Sequence, residues 1–287
     1  MTDTECPLCR SERSRRVAIT PDFRMVRCAQ CRLLYKDPRP VEGVRRHYDD
    51  VYGHDLVSEH IDRRRRSLFR DFLAVVRPFG SRRLLDVGCG SGEFLALARE
   101  QGWIADGIEV SPRGAALARR RGLAVHGHAD ELPDAHYDAV TLWNVVDLFL
   151  QPIEQMRDIH RLLVPGGLVF VRTPNAIFQA AAWRLSRVIV WPPPLARLVA
   201  DAHFFQPLVW APATLRTLLL CAGFTGVEVC NSTVSHGDPY RASSAARERV
   251  VATVKRVVHT VAGGVYRASR GRLVVGSSIS ARARKPV

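Results

Sequence analysis

The sequence predicts a doubly wound α/β fold, a central sheet with helices on both faces, preceded by a small cysteine-patterned module. Three observations predict it. From Arg82 onward, short apolar runs alternate with helical patterns, the pattern of a parallel sheet covered on both sides. A glycine-rich loop follows the first of those runs directly. Four of the seven cysteines fall into two Cys-x-x-Cys knuckles, Cys6/Cys9 and Cys28/Cys31, with 18 residues between them.

Each element has a local cause. Residues 1–40 form the first unit, where the knuckles flank β-like stretches at 16–19 and 23–27, too little sequence for an independent core. Such a piece needs a metal or a host domain to stay folded. Residues 41–80 read as a helical linker, with Leu68, Phe69, Phe72, Leu73 and Val76 at helical spacing and the run Arg63–Arg66 expected outward. Residues 81–287 hold the main domain. Its strands are expected at 84–87, 104–109, 123–126, 137–143 and 168–172, with Ser111-Pro112 starting one helix and Pro165-Gly166-Gly167 turning the chain into the fifth strand. Residues 174–205 break the alternation as an irregular apolar insertion with Trp183 and Trp191, and 241–287 hold a basic helix and a last strand.

Bulk properties bound the function. With 47% apolar and 24% charged residues the chain buries a sizeable core. No apolar run reaches the roughly 18 residues of a membrane span and no secretory core opens the sequence, so a cytoplasmic protein is expected. The net charge is +14, almost all of it arginine, since lysine occurs only at 36, 255 and 285. From Arg241 onward eleven Lys/Arg face only Glu248. That tail suits a solvated surface, an anionic membrane surface or a nucleic acid, the last being the weaker alternative.

Asp86 ends the first strand, and Gly88-Cys89-Gly90-Ser91-Gly92 follows. Glycines allow a tight turn and close approach of a ligand to the backbone, and the N–H groups at the next helix start receive an anion. The spacing is G-x-G-x-G, not the dinucleotide G-x-G-x-x-G, and an acid before the first glycine is foreign to that fingerprint. Glu109 ends the second strand about 20 residues later, where a carboxylate accepts from both ribose hydroxyls.

These residues resemble the class I S-adenosylmethionine (SAM)-dependent methyltransferase superfamily. Leu84–Gly92 resembles its first motif, Gly107–Pro112 its second-strand acidic motif, Tyr137–Thr141 its fourth strand and Leu163–Gly167 the turn before its fifth. The resemblance implies a Rossmann-like seven-stranded methyltransferase sheet and SAM as cofactor. Asp86, Gly88, Cys89, Gly90 and Gly92 would hold the methionine portion and Glu109 with Val110 the ribose. His128, Ala129 and Asp130 would face the adenine, and Trp143 and Asn144 would border the site. Relatives often place Asp where this chain has His128, so His128 beside the base or Asp130 would serve there.

The spacing of Cys6, Cys9, Cys28 and Cys31 fits a structural zinc ribbon, whose four thiolates leave no open position for chemistry. The segment resembles a methyltransferase subgroup with an N-terminal zinc-binding segment, often found modifying sugars, glycans or secondary metabolites. That implies a small-molecule acceptor: a sugar, a glycan precursor or a natural-product intermediate. An RNA methyltransferase and a catalytically inactive SAM- or nucleic-acid-binding regulator are the alternatives. Relatives often carry a Glu-His pair after the fourth strand, where this chain has Asp147-Leu148. Asp147 is one catalytic candidate, read also as a helix-start carboxylate. His203, in Asp201-Ala202-His203-Phe204-Phe205, is the other, as a general base.

Overall fold

The computed structural model describes residues 5–19, 24–37, 55–77, 79–188, 206–234 and 245–287. Two sheets organise them. The larger has seven strands: β4 (Arg83–Val87), β5 (Ile104–Ile108), β6 (Ala124–His126), β7 (Tyr137–Trp143), β8 (Leu163–Pro174), β10 (Thr225–Asn231) and β11 (Ser278–Arg284). The smaller joins β1 (Ser14–Ile19), β2 (Arg24–Cys28), β3 (Leu34–Asp37) and β9 (Leu208–Val209).

The large sheet runs in the order β10-β11-β8-β7-β4-β5-β6. Strands β6, β5, β4, β7 and β8 are parallel, and β11 lies antiparallel between β8 and β10. The chain leaves β4 towards β5 on one side and returns to β7 on the other. The switch in direction opens a crevice at the carboxyl ends of β4 and β7, where ligands of open α/β sheets bind.

The helices are α1 (Asp55–Val75), α2 (Glu93–Glu100), α3 (Pro112–Arg120), α4 (Pro152–Leu162), α5 (Ala176–Ser186), α6 (Pro212–Cys221) and α7 (Ala245–Ala268). Helix α1 buries Leu68, Phe69, Phe72, Leu73 and Val76, the stripe its spacing predicts. Phe69 and Phe72 meet Phe94 of α2, and both rings also pack on Trp143 of β7. Ser111 caps α3, accepting from Gly114 N at 3.2 Å, with Pro112 in the first turn. Asp138 accepts from Ser81 N, Ser81 Oγ and Arg83 N, which pins the entry to β4.

Three features refine the expected layout. The apolar segment after β8 is not irregular at its start: Asn175 accepts from Ile177 N at 3.1 Å and opens α5. Not all the arginines of α1 face outward. Arg63 and Arg66 are exposed, Arg66 pairing with the buried Glu93 at 2.6 Å, but Arg65 lines the crevice. Arg65 stands three, four and seven residues before Leu68, Phe69 and Phe72, so it shares their face. The cysteine module, finally, is built into the main core: Leu8, Cys28, Leu33 and Tyr35 share one apolar cluster with Leu142, Val171 and Trp210.

Candidate active site

The crevice is a cavity of about 740 Å³. Its walls come from the carboxyl ends of β4, β5, β6 and β7 and from α1 and α4. Gly88, Glu109, Val110, His128, Ala129, Asp130, Trp143 and Asn144 line it, all of them expected from the sequence. Asp86, Cys89, Gly90 and Gly92, also expected there, are buried in and just before the loop and are not among the lining residues.

The loop geometry explains its composition. Gly88 adopts φ +71, and a Cβ there would stand 2.5 Å from Val145 Cγ2. Gly92 adopts φ +81, and a Cβ would meet Leu123 at 2.2 Å. Both positions combine left-handed backbone with close packing, which only glycine tolerates. Glu109 closes the loop from the side: its Oε2 accepts from Gly90 N at 2.8 Å and its Oε1 from Ser111 N at 2.7 Å. Each carboxylate oxygen keeps accepting capacity for a further donor.

Asp86 is 2% exposed, and Thr141 Oγ1 donates to its Oδ1 at 2.6 Å. Burial raises its pKa to about 8, against the opposing hydrogen bond from Thr141. Asp147, in a short 3₁₀ turn after β7, is 1% exposed and does not reach the cavity wall. Thr173 Oγ1 donates to its Oδ1 at 3.3 Å, while Oδ2 has no hydrogen-bond partner among the described residues. Burial raises its pKa to about 6. The positive charge of Arg65 makes a small opposing contribution at both acids, and Arg172 adds to it at Asp147.

At the opposite end His128 opens a 3₁₀ turn (Ala129–Glu131), its N–H donating to Glu131 Oε1 at 3.0 Å. Helix α4 packs there: Arg161 donates to Ala129 O at 2.9 Å and to Leu132 O at 3.2 Å. That contact places Gln155, Asp158 and Ile159 of α4 on the cavity wall. Asn144 has φ +59 and is gripped by Arg172, whose Nη1 donates to Asn144 Oδ1 at 2.7 Å.

Sequence reasoning missed Arg65, Gln155, Asp158 and the apolar wall Val145, Leu148, Phe149 and Ile159. Arg65 was legible from its helical spacing to Phe69 and Phe72. Gln155, Asp158 and Ile159 also share one helix face, but nothing local says which sheet edge that face meets. His203 lies outside the described residues.

The four module thiols form a second site. Their Sγ atoms lie within 4.8 Å of one another, with Cys6–Cys31 and Cys9–Cys28 at 3.4 Å. Tetrahedral zinc with Zn–S near 2.3 Å separates its sulfurs by about 3.8 Å, so these donors fit such an ion with small adjustments. Cys6 and Cys28 are buried and Cys9 and Cys31 half-buried, as a closed structural site requires.

The strand order, the antiparallel β11 and the glycine loop beside an acidic second strand are those of the class I methyltransferase fold. The comparisons agree. A family profile described as a methyltransferase domain matches residues 59–229, and the chain belongs to that family. A ubiquinone biosynthesis O-methyltransferase of Maricaulis maris is 31% identical over 162 residues, 52% of this chain and 61% of that protein. One from Ruegeria pomeroyi is 32% identical over 126 residues, 41% of this chain and 51% of that protein. The chain thus spans half to three fifths of the length of these relatives.

Among solved structures, a chain of the complex between the Haloferax volcanii Trm112 methyltransferase activator and a methyltransferase aligns with TM-score 0.58 and 17% identity. It covers 84% of this chain and 98% of that one. A SAM-dependent methyltransferase from Thermotoga maritima aligns with TM-score 0.50 and 18% identity, covering 79% of this chain and 91% of that one. At these identities the likeness concerns the fold. No helix among the described residues is long and apolar enough to cross a membrane.

Proposed function

We propose that this chain methylates a hydroxyl oxygen of a small-molecule acceptor, using SAM bound in the β4–β7 crevice. The observation that carries the reading is the cavity lining, which joins Gly88, Glu109, His128–Asp130, Trp143 and Asn144 in one continuous wall. A cavity of this size suits a cofactor and a small acceptor.

The loop N–H groups and Arg65 bind the methionine carboxylate in this reading, and Glu109 accepts from the ribose hydroxyls. His128, Ala129 and Asp130, with Gln155 and Asp158 across from them, surround the adenine. SAM, when bound, supplies a methyl group activated on a sulfonium. Aligning an acceptor with that group is then most of the task, and the apolar wall Val145, Leu148 and Phe149 excludes water from it.

A hydroxyl acceptor also needs a proton acceptor. Asp147, ionising near pH 6 behind that wall, supports a positioning role on the acceptor side. His203 is proposed as the base from its sequence setting. The O-methyltransferase names of the relatives support oxygen as the methylated atom. Sugars, glycan precursors, natural-product intermediates and compounds of ubiquinone biosynthesis form the acceptor panel.

Helix α7 supports one further partner. Its Val250, Val254, Val257 and Val261 are exposed along one face, and the surrounding tail is strongly basic. An anionic membrane carrying the acceptor would meet this face, and co-sedimentation with anionic vesicles tests it. The experiment for the main reading uses methyl-labelled SAM with the acceptor panel and mass analysis. A singly methylated small molecule is expected. Label in RNA, or SAM binding without turnover on any acceptor, contradicts the proposal.

A further inference from the structure

Among the described residues, the buried Trp210 links the cysteine module to the cavity wall. Strand β3 follows the second knuckle, with Cys28 N donating to Leu33 O at 2.9 Å. It pairs with the two-residue β9, Leu34 opposite Val209 and Tyr35 opposite Leu208, and Lys36 N donates to Pro207 O at 2.9 Å. Trp210 comes next and is fully buried. Its indole Nε1 donates to Val146 O at 3.2 Å, and its own carbonyl accepts from Ala176 N, the first residue of α5. Val146 stands in the turn whose neighbours Val145, Leu148 and Phe149 line the cavity. A second contact, Arg10 to Glu154 at 2.6 Å, joins the first knuckle to the cavity-lining helix α4. That pair is exposed and contributes little; the buried connection runs through Trp210 and the apolar cluster around it.

We infer that Trp210 is a positioning residue that couples metal loading of Cys6, Cys9, Cys28 and Cys31 to the shape, and hence the cofactor affinity, of the cavity wall at 145–149. A module this small does not hold its strands without a metal or its host. When β3 loosens, the two-residue β9 loses its partner, and the indole loses the geometry that fixes Val146. The wall then relaxes while the hydrogen-bonded seven-stranded sheet persists. The inference rests on the reading that this cavity holds SAM.

The test uses the full chain, zinc-loaded and chelator-stripped, as wild type and Trp210→Phe, which keeps the ring but deletes the donor. SAM dissociation constants come from calorimetry, zinc from elemental analysis and sheet content from far-UV circular dichroism. Trp210→Phe is expected to keep zinc and sheet and to bind SAM about tenfold more weakly, the scale of one lost buried hydrogen bond. Stripping zinc is expected to weaken wild type by a similar factor or more and the variant by much less, because the two changes act through one contact.

Linkage gives a check that needs no variant: saturating SAM must tighten zinc against a competing chelator by the factor by which zinc tightens SAM. Equal SAM affinity with and without zinc overturns the coupling, as does a fully multiplicative effect of the two changes. Loss of the sheet signal on stripping overturns it too, in favour of a global folding role. A loaded wild-type chain that binds no SAM contradicts the cavity reading itself.

Discussion

Gly90 and Glu109 are joined across the mouth of β4 and β5: the Gly90 N–H donates to Glu109 Oε2 at 2.8 Å, while Ser111 N holds the other carboxylate oxygen. The acid is therefore a brace for the glycine loop as well as a candidate ribose acceptor. Glu109→Ala leaves two N–H groups without this acceptor, each worth about 1–3 kcal/mol when buried. SAM affinity is expected to fall at least about tenfold, with a lower melting temperature. Calorimetry and thermal denaturation check both. Unchanged affinity contradicts the dual role.

Gly88 and Gly122 share φ +71, but only Gly88 faces a neighbour, since a Cβ at Gly122 meets nothing within 4 Å. Each alanine substitution carries the same left-handed backbone strain, about 1–2 kcal/mol. Gly88→Ala also pushes Val145 into the cavity. It is expected to lose SAM binding by well over tenfold, whereas Gly122→Ala loses stability and keeps affinity. Similar SAM dissociation constants for the two variants would falsify the placement of the methionine end.

Asp147 gives a pH dependence of definite sign. Burial raises its pKa from 3.8 to about 6, so the folded state binds this proton more tightly than the unfolded chain. Its stabilising contribution is complete below pH 3.8 and is lost as pH rises through 6. Asp147→Asn removes that loss, and the variant should gain about 2 kcal/mol on wild type between pH 4.5 and 7.5, the part of the decline that falls in this window. Asp86, raised to about 8, adds a similar decline to both proteins, so the difference isolates Asp147. Urea unfolding at the two pH values reads it. A constant difference contradicts the buried, elevated acid.

Cys28→Ser replaces one of four converging thiolates with a poor zinc ligand. Wild type is expected to carry one zinc per chain and the variant to lose it, with β2 and β3 loosened. Wild type purified without metal, on elemental analysis, refutes the ribbon.

Much of this architecture is local chemistry and was legible in the sequence. Tyr137–Trp143 is a strand over its expected span, Ser111 caps its helix, and the buried stripe of α1 falls where the spacing puts it. The wall residues of β4 through β7 follow from strand ends that the loop motifs mark. What was not legible depends on contacts between distant segments. A two-residue strand such as β9 has no periodicity to detect, and its pairing with β3 is set by the core around Trp210. Arg65 is an intermediate case: its helical spacing marks the inward face, while its charge argues for the surface. Asp147 reads as a site or a helix-start carboxylate, and it stands in the first turn of a 3₁₀ segment, where Thr173 donates to it.

The central claim is that the β4–β7 crevice holds SAM, and titration calorimetry of the zinc-loaded chain with SAM tests it most directly. The account expects saturable one-to-one binding, displaced by S-adenosylhomocysteine and abolished by Gly88→Ala. Absence of heat up to about 1 mM SAM, the upper end of ordinary enzyme affinities, would contradict it.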